Sequence, residues 1–192
     1  MKFLGDNSPR SSLESSWRAA FRLRSKSDRL HVAAVCYRLQ DGAVEFLLVR
    51  TRSGRWTFPK GAVDQDITNA DAAAREAYEE AGVKGWVEPL PFMSYLHCKP
   101  GQLRSCSQVL LVDAHLCEVN RLVTPLEQHR EPTWFTGPKA KRMLRKSRTA
   151  DYGNEVARVI DRARERILLR HPKGNRRRRM NPLKYSLGLG MF

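Results

Sequence analysis

The sequence predicts a three-layer α/β/α sandwich around a mixed β-sheet. Apolar runs rich in Val, Leu, Phe and Tyr recur along the chain, an Ala-rich helical segment interrupts them in mid-chain, and helical segments gather near the end. Strands on both sides of a helix, followed by helices, cover their apolar surfaces when helices lie on both faces of one sheet.

Leu30 to Leu39 and Val44 to Arg50 read as strands, and Gln40-Asp41-Gly42 between them carries a hairpin signal. Arg55 to Phe58 reads as a short strand ending at Pro59-Lys60-Gly61. Asn69 to Ala81 is a helix that Gly82 stops, with Ala70, Ala74, Ala77, Tyr78 and Ala81 as its expected core face. Trp86 to His97 and Ser107 to Cys117 follow as strands, separated by Lys99-Pro100-Gly101-Gln102. Glu127 to Pro132 is loop-like, and Thr133-Trp134-Phe135 is a brief strand. Lys139 to Arg148 reads as a basic helix, and Asp151 to Arg170 as a longer one with Val156, Val159, Ile160, Ala163 and Ile167 in one stripe. Residues 30–170 form the expected domain. Residues 1–29 are a Ser- and Arg-rich arm in which Leu13, Trp17, Ala20, Phe21 and Arg24 have helical spacing, either a short docked helix or a mobile arm. Residues 171–192 read as a basic tail.

With 192 residues, 41% of them hydrophobic, the chain supports one domain with a full core and extra ends. No apolar run reaches the ~20 residues of a membrane span, and Met1 to Ser16 lacks a signal-peptide core. A cytoplasmic protein is the expectation. Cys36, Cys98, Cys106 and Cys117 form no Cys-x-x-Cys pair, which argues against a zinc site or disulfide framework. The net charge is +15, of which residues 1–30 carry +4, residues 166–192 carry +8 and residues 31–165 only +3. Basic ends favour anionic partners, nucleic acid among them, or act simply to solubilise.

In the mid-chain helix, 100° per residue places Glu76, Glu79 and Glu80 on one narrow arc. Such carboxylates repel by roughly 0.2–0.5 kcal/mol per pair. Glu79 and Glu80 also lie in the last turn, where the helix dipole disfavours anions. A cation is needed to offset this, and converging hard oxygens suit Mg²⁺ or Mn²⁺ with phosphate oxygens completing the shell.

Gly61, Arg75, Glu76, Glu79, Glu80, Gly82 and Val83 together resemble the Nudix box, a glycine followed at fixed spacing by Arg-Glu-x-x-Glu-Glu-x-Gly. One position departs: Ile67 stands where the family has a glutamate, with Asp64 and Asp66 nearby but out of register. The resemblance covers roughly residues 30–168. It implies the Nudix fold and metal-dependent hydrolysis of a pyrophosphate bond in a nucleoside diphosphate linked to another group. It makes Glu79 and Glu80 direct metal ligands, Glu76 a ligand or proton acceptor, the Gly61 carbonyl a backbone ligand, and Arg75 the residue that orients the glutamates. A further carboxylate is expected from the loop before the Trp134 strand, where Glu131 is favoured over Glu127. Arg50, Arg52, Arg55 and Lys60 precede the helix and are the expected anchors for a phosphorylated small molecule, since guanidinium groups bind phosphate bidentately. Arg55-Trp56-Thr57-Phe58-Pro59-Lys60-Gly61 is similar to the branch acting on diphosphoinositol polyphosphates and diadenosine polyphosphates, without choosing between them. The competing reading is an RNA-binding or RNA 5′-end processing protein that uses the same fold and its basic termini.

Overall fold

The computed structural model describes residues 30–100 and 106–172. The expected arm, the Gly101-Gln102 half of the loop and the tail beyond Pro172 lie outside them.

Strand β1 (His31–Gln40) runs into β2 (Ala43–Arg50) through a two-residue turn. Asp41 and Gly42 there have φ of 50° and 75°, the left-handed pair that matches the twist of an antiparallel hairpin. Two short strands follow, β3 (Trp56–Thr57) on β2 and β4 (Lys60–Ala62) antiparallel to the start of β1. Helix α1 spans Asn69–Ala81. It is followed by β5 (Val83–Val87), β6 (Met93–Pro100), β7 (Cys106–Leu122) and β8 (Thr133–Thr136), then α2 (Gly137–Arg145) and α3 (Ala150–Arg170).

The eight strands form one mixed sheet, ordered β3-β2-β1-β7-β5, with β4 on β1, β6 on β7 and β8 on β2. The central β1–β7 pair is parallel, from His31 opposite Val112 to Tyr37 opposite Glu118, and the remaining pairs are antiparallel. Alternation along β1 divides the core between two faces. Val32, Ala34 and Cys36 pack with Leu47 and Val49 against Ala72, Ala73, Ala77 and Ala81 of α1. Ala33, Val35 and Tyr37 pack with Phe46 and Leu48 against Leu144 of α2 and Val156, Val159, Ile160, Ala163 and Ile167 of α3. The expected sandwich is therefore present, and the α3 stripe is buried along its length. Among the described residues, no helix is long and apolar enough to cross a membrane.

The structure corrects three local expectations. Helix α1 is turned by about a quarter-turn from its expected orientation: Ala72, Ala73, Ala77, Glu80 and Ala81 are buried, whereas Tyr78 is exposed. The carboxylate arc thus borders the sheet instead of facing away from it. The stretch read as one strand from Trp86 to His97 is two strands, because Pro89 and Pro91 cannot donate to a ladder. β5 pairs with the far half of β7 and β6 with the near half. Finally, β4 has no strand-like composition; it forms because β1 accepts it as a neighbour, with Ala34 N–H bonding the Pro59 carbonyl at 2.9 Å.

The break between β5 and β6 is tied to α3. Glu88, 2% exposed, meets Arg166 at 3.0 Å and Arg170 at 3.1 Å, and its carbonyl lies 2.9 Å from His115 Nδ1. Burying that carboxylate is favourable because two guanidinium groups face it.

Gly82 ends α1 at φ 64°, its N–H bonding the carbonyls of Ala77 and Tyr78. A Cβ placed there would run into the Val123 carbonyl. Gly82→Ala is expected to lower the unfolding free energy by about 1–3 kcal/mol, as measured by urea titration. An unchanged midpoint would show that the turn after α1 relaxes freely.

Candidate active site

Helix α1 is capped at both ends by its own sequence. Thr68 Oγ1 accepts the Asp71 N–H at 3.1 Å, and Gly82 closes the C-terminus. Its last turn holds no basic residue, so the charge facing Glu79 and Glu80 comes from other elements. Arg130, in the short 3₁₀ turn Gln128–Arg130, places Nη2 2.5 Å from Glu80 Oε1 and Nε 2.6 Å from Glu127 Oε2. Glu127 is fixed in turn by its own N–H, which bonds the Glu79 carbonyl at 2.9 Å. Glu80 is 2% exposed, and its second oxygen, Oε2, is buried without a hydrogen-bond partner. Burial pushes the Glu80 carboxyl up to about 7, outweighing the attraction of Lys60 and Arg130. Burial also raises Glu76, with the Glu79 charge adding to the effect.

The spacing between α1 and β4 is set at Gly61. A Cβ built there would fall inside the Glu76 carboxylate, so the helix approaches this strand only over a glycine. Arg75 draws the same two elements together, donating to Asp64 at 2.5 Å and to the Ala62 carbonyl at 3.3 Å. Its guanidinium is 4.0 Å from Glu76, so its main partners are on the strand side rather than among the glutamates. Asp64 thereby supplies a carboxylate to the supporting network. Ile67 packs with Val63 against the α1-side core, which explains why an apolar residue is accommodated there.

The remaining expected residues separate. Glu131 is turned outward and pairs with Arg50 at 2.9 Å, whereas Glu127 contributes to the field at Glu76 and Glu80. Glu127, not Glu131, is therefore the loop carboxylate brought to the site. Arg50 is also stacked on Trp56, its guanidinium carbon 4.7 Å from the ring centroid. Arg52 is exposed on the β2–β3 turn, and Arg55 donates to Ser53 Oγ at 3.3 Å. Lys60 stays beside Glu80 and Glu76, and its ammonium is pushed down by burial. Arg130 escaped the sequence reading because its partner Glu80 is 50 residues away, and no local spacing signals the pair.

Among the described residues, no three His, Cys, Asp or Glu side chains are spaced to hold a metal ion as they stand. The donor set nevertheless fits a hard divalent cation. Glu80 Oε2 is a buried acceptor lacking a donor, Glu76 lies against the Gly61 backbone, and Glu79 shares their helix.

A buried helix end lined with carboxylates, approached by a glycine strand and ringed with cations, defines a phosphate-processing class of site. The NUDIX domain model matches residues 29–152. The chain belongs to the NUDIX domain family. The solved Caenorhabditis elegans Ap4A hydrolase binary complex is similar over 74% of this chain and 98% of its own, at 21% identity and a TM-score of 0.52. The NUDIX domain of Shewanella oneidensis NrtR, complexed with ADP ribose, is similar over 80% of this chain and 98% of its own, at 18% identity and a TM-score of 0.55. At these identities the likeness is one of fold. A shorter match, 52% identical over 33 residues, links 17% of this chain to 19% of an RNA pyrophosphohydrolase from Bartonella tribocorum (strain CIP 105476 / IBS 506). That match spans about a fifth of the relative's length.

Gly61→Ala is expected to displace Glu76 and lower turnover about a hundredfold with a folded chain, checked by steady-state kinetics and circular dichroism. Retained turnover would detach Gly61 from the site. His97 gives the expected pH dependence. Burial and the fields of Lys60, Arg148, His31 and Arg55 push its imidazole down to about 3 from 6.5. The folded state therefore favours neutral His97, and this stabilisation is complete above pH 6.5 and lost as pH falls toward 3. Stability measured across that window should fall less steeply in His97→Gln; identical slopes would remove His97 from the acid response.

Proposed function

We propose that this NUDIX-family chain is a metal-dependent pyrophosphohydrolase acting on a polyphosphorylated small molecule, with a diadenosine polyphosphate or a diphosphoinositol polyphosphate favoured. The observation that carries the reading is the buried Glu80 oxygen without a donor, on a helix whose Glu76 is pressed against the Gly61 backbone. Glu79 and Glu80 would hold Mg²⁺ or Mn²⁺ together with the Gly61 carbonyl, and a bound ion would neutralise pyrophosphate charge and make attack by water easier. Glu76, raised by burial and by Glu79, is suited to take a proton from that water when it is not itself a ligand. Lys60 supports phosphate from β4, and Arg130 holds Glu80 and Glu127 in place. The Arg75 pairs with Asp64 and the Ala62 carbonyl keep α1 and β4 in register.

A second reading is RNA 5′-end processing. The 33-residue likeness to an RNA pyrophosphohydrolase and the +12 carried by residues 1–30 and 166–192 favour it. The two readings separate on substrate size, not on chemistry.

Glu79→Gln and Glu80→Gln are each expected to lower turnover by orders of magnitude and to leave the fold intact, since neither removes apolar packing. The assay is phosphate or nucleotide release with Mg²⁺ from a panel of dinucleotide polyphosphates, diphosphoinositol polyphosphates and 5′-triphosphate RNA. Full activity in both variants would overturn the site, and release from RNA alone would favour the second reading.

A further inference from the structure

Lys60 and Gly61 are adjacent in β4 and point to opposite faces of the sheet. Gly61 faces α1, whereas Lys60, opposite Ala33, faces the side covered by α2 and α3. On that side the ladder aligns His31 with Val112 and Val112 with Tyr95, and His97 lies two residues along the same face of β6. Arg148, between α2 and α3, and Tyr152, in the first turn of α3, complete the group.

Its hydrogen bonds have a direction. Arg148 donates to the Tyr152 hydroxyl, its guanidinium carbon 5.5 Å from that ring's centroid. The Tyr152 oxygen lies 2.7 Å from His97 Nδ1. With Arg148 donating in, the hydroxyl proton points to Nδ1, and the ring proton of neutral His97 belongs on Nε2. His97 is thereby presented as a donor. Tyr95, 1% exposed, has a hydroxyl with no hydrogen-bond partner. Lys60, His97 Nε2 and Tyr95 are all able to donate. The carboxylates acting on Lys60 are Glu80 and Glu76, which belong to the α1 site. Burial, together with mutual repulsion, pushes Lys60, His97 and Arg148 all downward, as expected for cations gathered without an anion of their own.

We propose that Lys60, His97, Tyr95 and Tyr152, with Arg148 as a positioning residue, form an anion subsite for a second phosphoryl group of the substrate, beyond the pyrophosphate at the α1 carboxylates. Its placement rests on the pyrophosphohydrolase reading. A phosphate is acceptor-only, and this group presents donors from β4, β6 and α3 around one sheet face. The substrate class it selects carries three or more phosphoryl groups, whether in one chain or as a separate monoester.

The test uses the full chain in EDTA, with inorganic tripolyphosphate titrated by calorimetry. His97→Gln and Tyr152→Phe are expected to raise Kd about tenfold each. Arg158→Ala, which removes a charge paired with Glu155 at the surface, is expected to leave Kd unchanged. Arg148 is spared because it donates to the Trp56 carbonyl at 2.6 Å and to that of Leu144, holding the fold. Equal Kd in all the proteins, or an equal loss in Arg158→Ala, overturns the subsite. In wild type, the His97 ring resonances should move on titration; fixed resonances at saturation overturn it independently of variant folding. Tripolyphosphate bound through His97 by a chain that hydrolyses no pyrophosphate would sustain the subsite and refute the function. Hydrolysis with an unresponsive His97 would do the reverse.

Discussion

The approach of α1 to β4 over Gly61 is the constraint on which the rest of the site depends. A helix carrying three glutamates on one arc resists burial, yet Glu80 is 2% exposed and Glu76 contacts backbone. Two arrangements make this tolerable. Small residues, Ala72, Ala73, Ala77 and Ala81, let the helix axis come close to the sheet. Arg130, Lys60 and Arg75 arrive from three other segments to meet the carboxylate edge. Enlarging the glycine or removing the cations would change the spacing, and the chemistry proposed for the site requires that spacing.

The parts of the structure legible in the sequence are those determined by short-range signals. Thr68 and Gly82 bound α1 at the expected residues, Asp41-Gly42 turns the first hairpin, and the α3 stripe is buried as its period indicates. Less visible is anything that distant segments decide between them. Lys60-Gly61-Ala62 has no strand pattern and is a strand only because β1 pairs with it. The buried face of α1 was misplaced because polarity suggested that glutamates face outward, while Arg130, 50 residues on, makes burial of Glu80 possible. Gly85, at an irregularity of the ladder, and Pro89 concealed the boundary between β5 and β6.

The candidate site divides along the same line. The helix motif named Glu76, Glu79, Glu80, Arg75 and Gly61 together, because one turn of helix and one close approach hold them. The loop carboxylate was a choice between Glu127 and Glu131, decided by which one Arg50 draws away. His97, Tyr152 and Arg148 share no local pattern; their meeting at 2.7 Å and 5.5 Å depends on how α3 lies across β6.

The parallel pairing of β1 with β7 has a consequence for how the chain acquires its shape. His31 finds Val112, and Phe46 finds Phe135, only after long intervening stretches have been gathered in. The centre of the sheet is therefore assembled from contacts of high sequence separation, whose loop-closure entropy is met before the contacts reward it. The β1–β2 hairpin can close early by itself, but during synthesis it waits with one edge of β1 bare until β7 has emerged. Over that interval the strand rich in Val, Ala and Cys is an exposed template for pairing with other chains, so the nascent chain is most prone to aggregate before residue 117 is available.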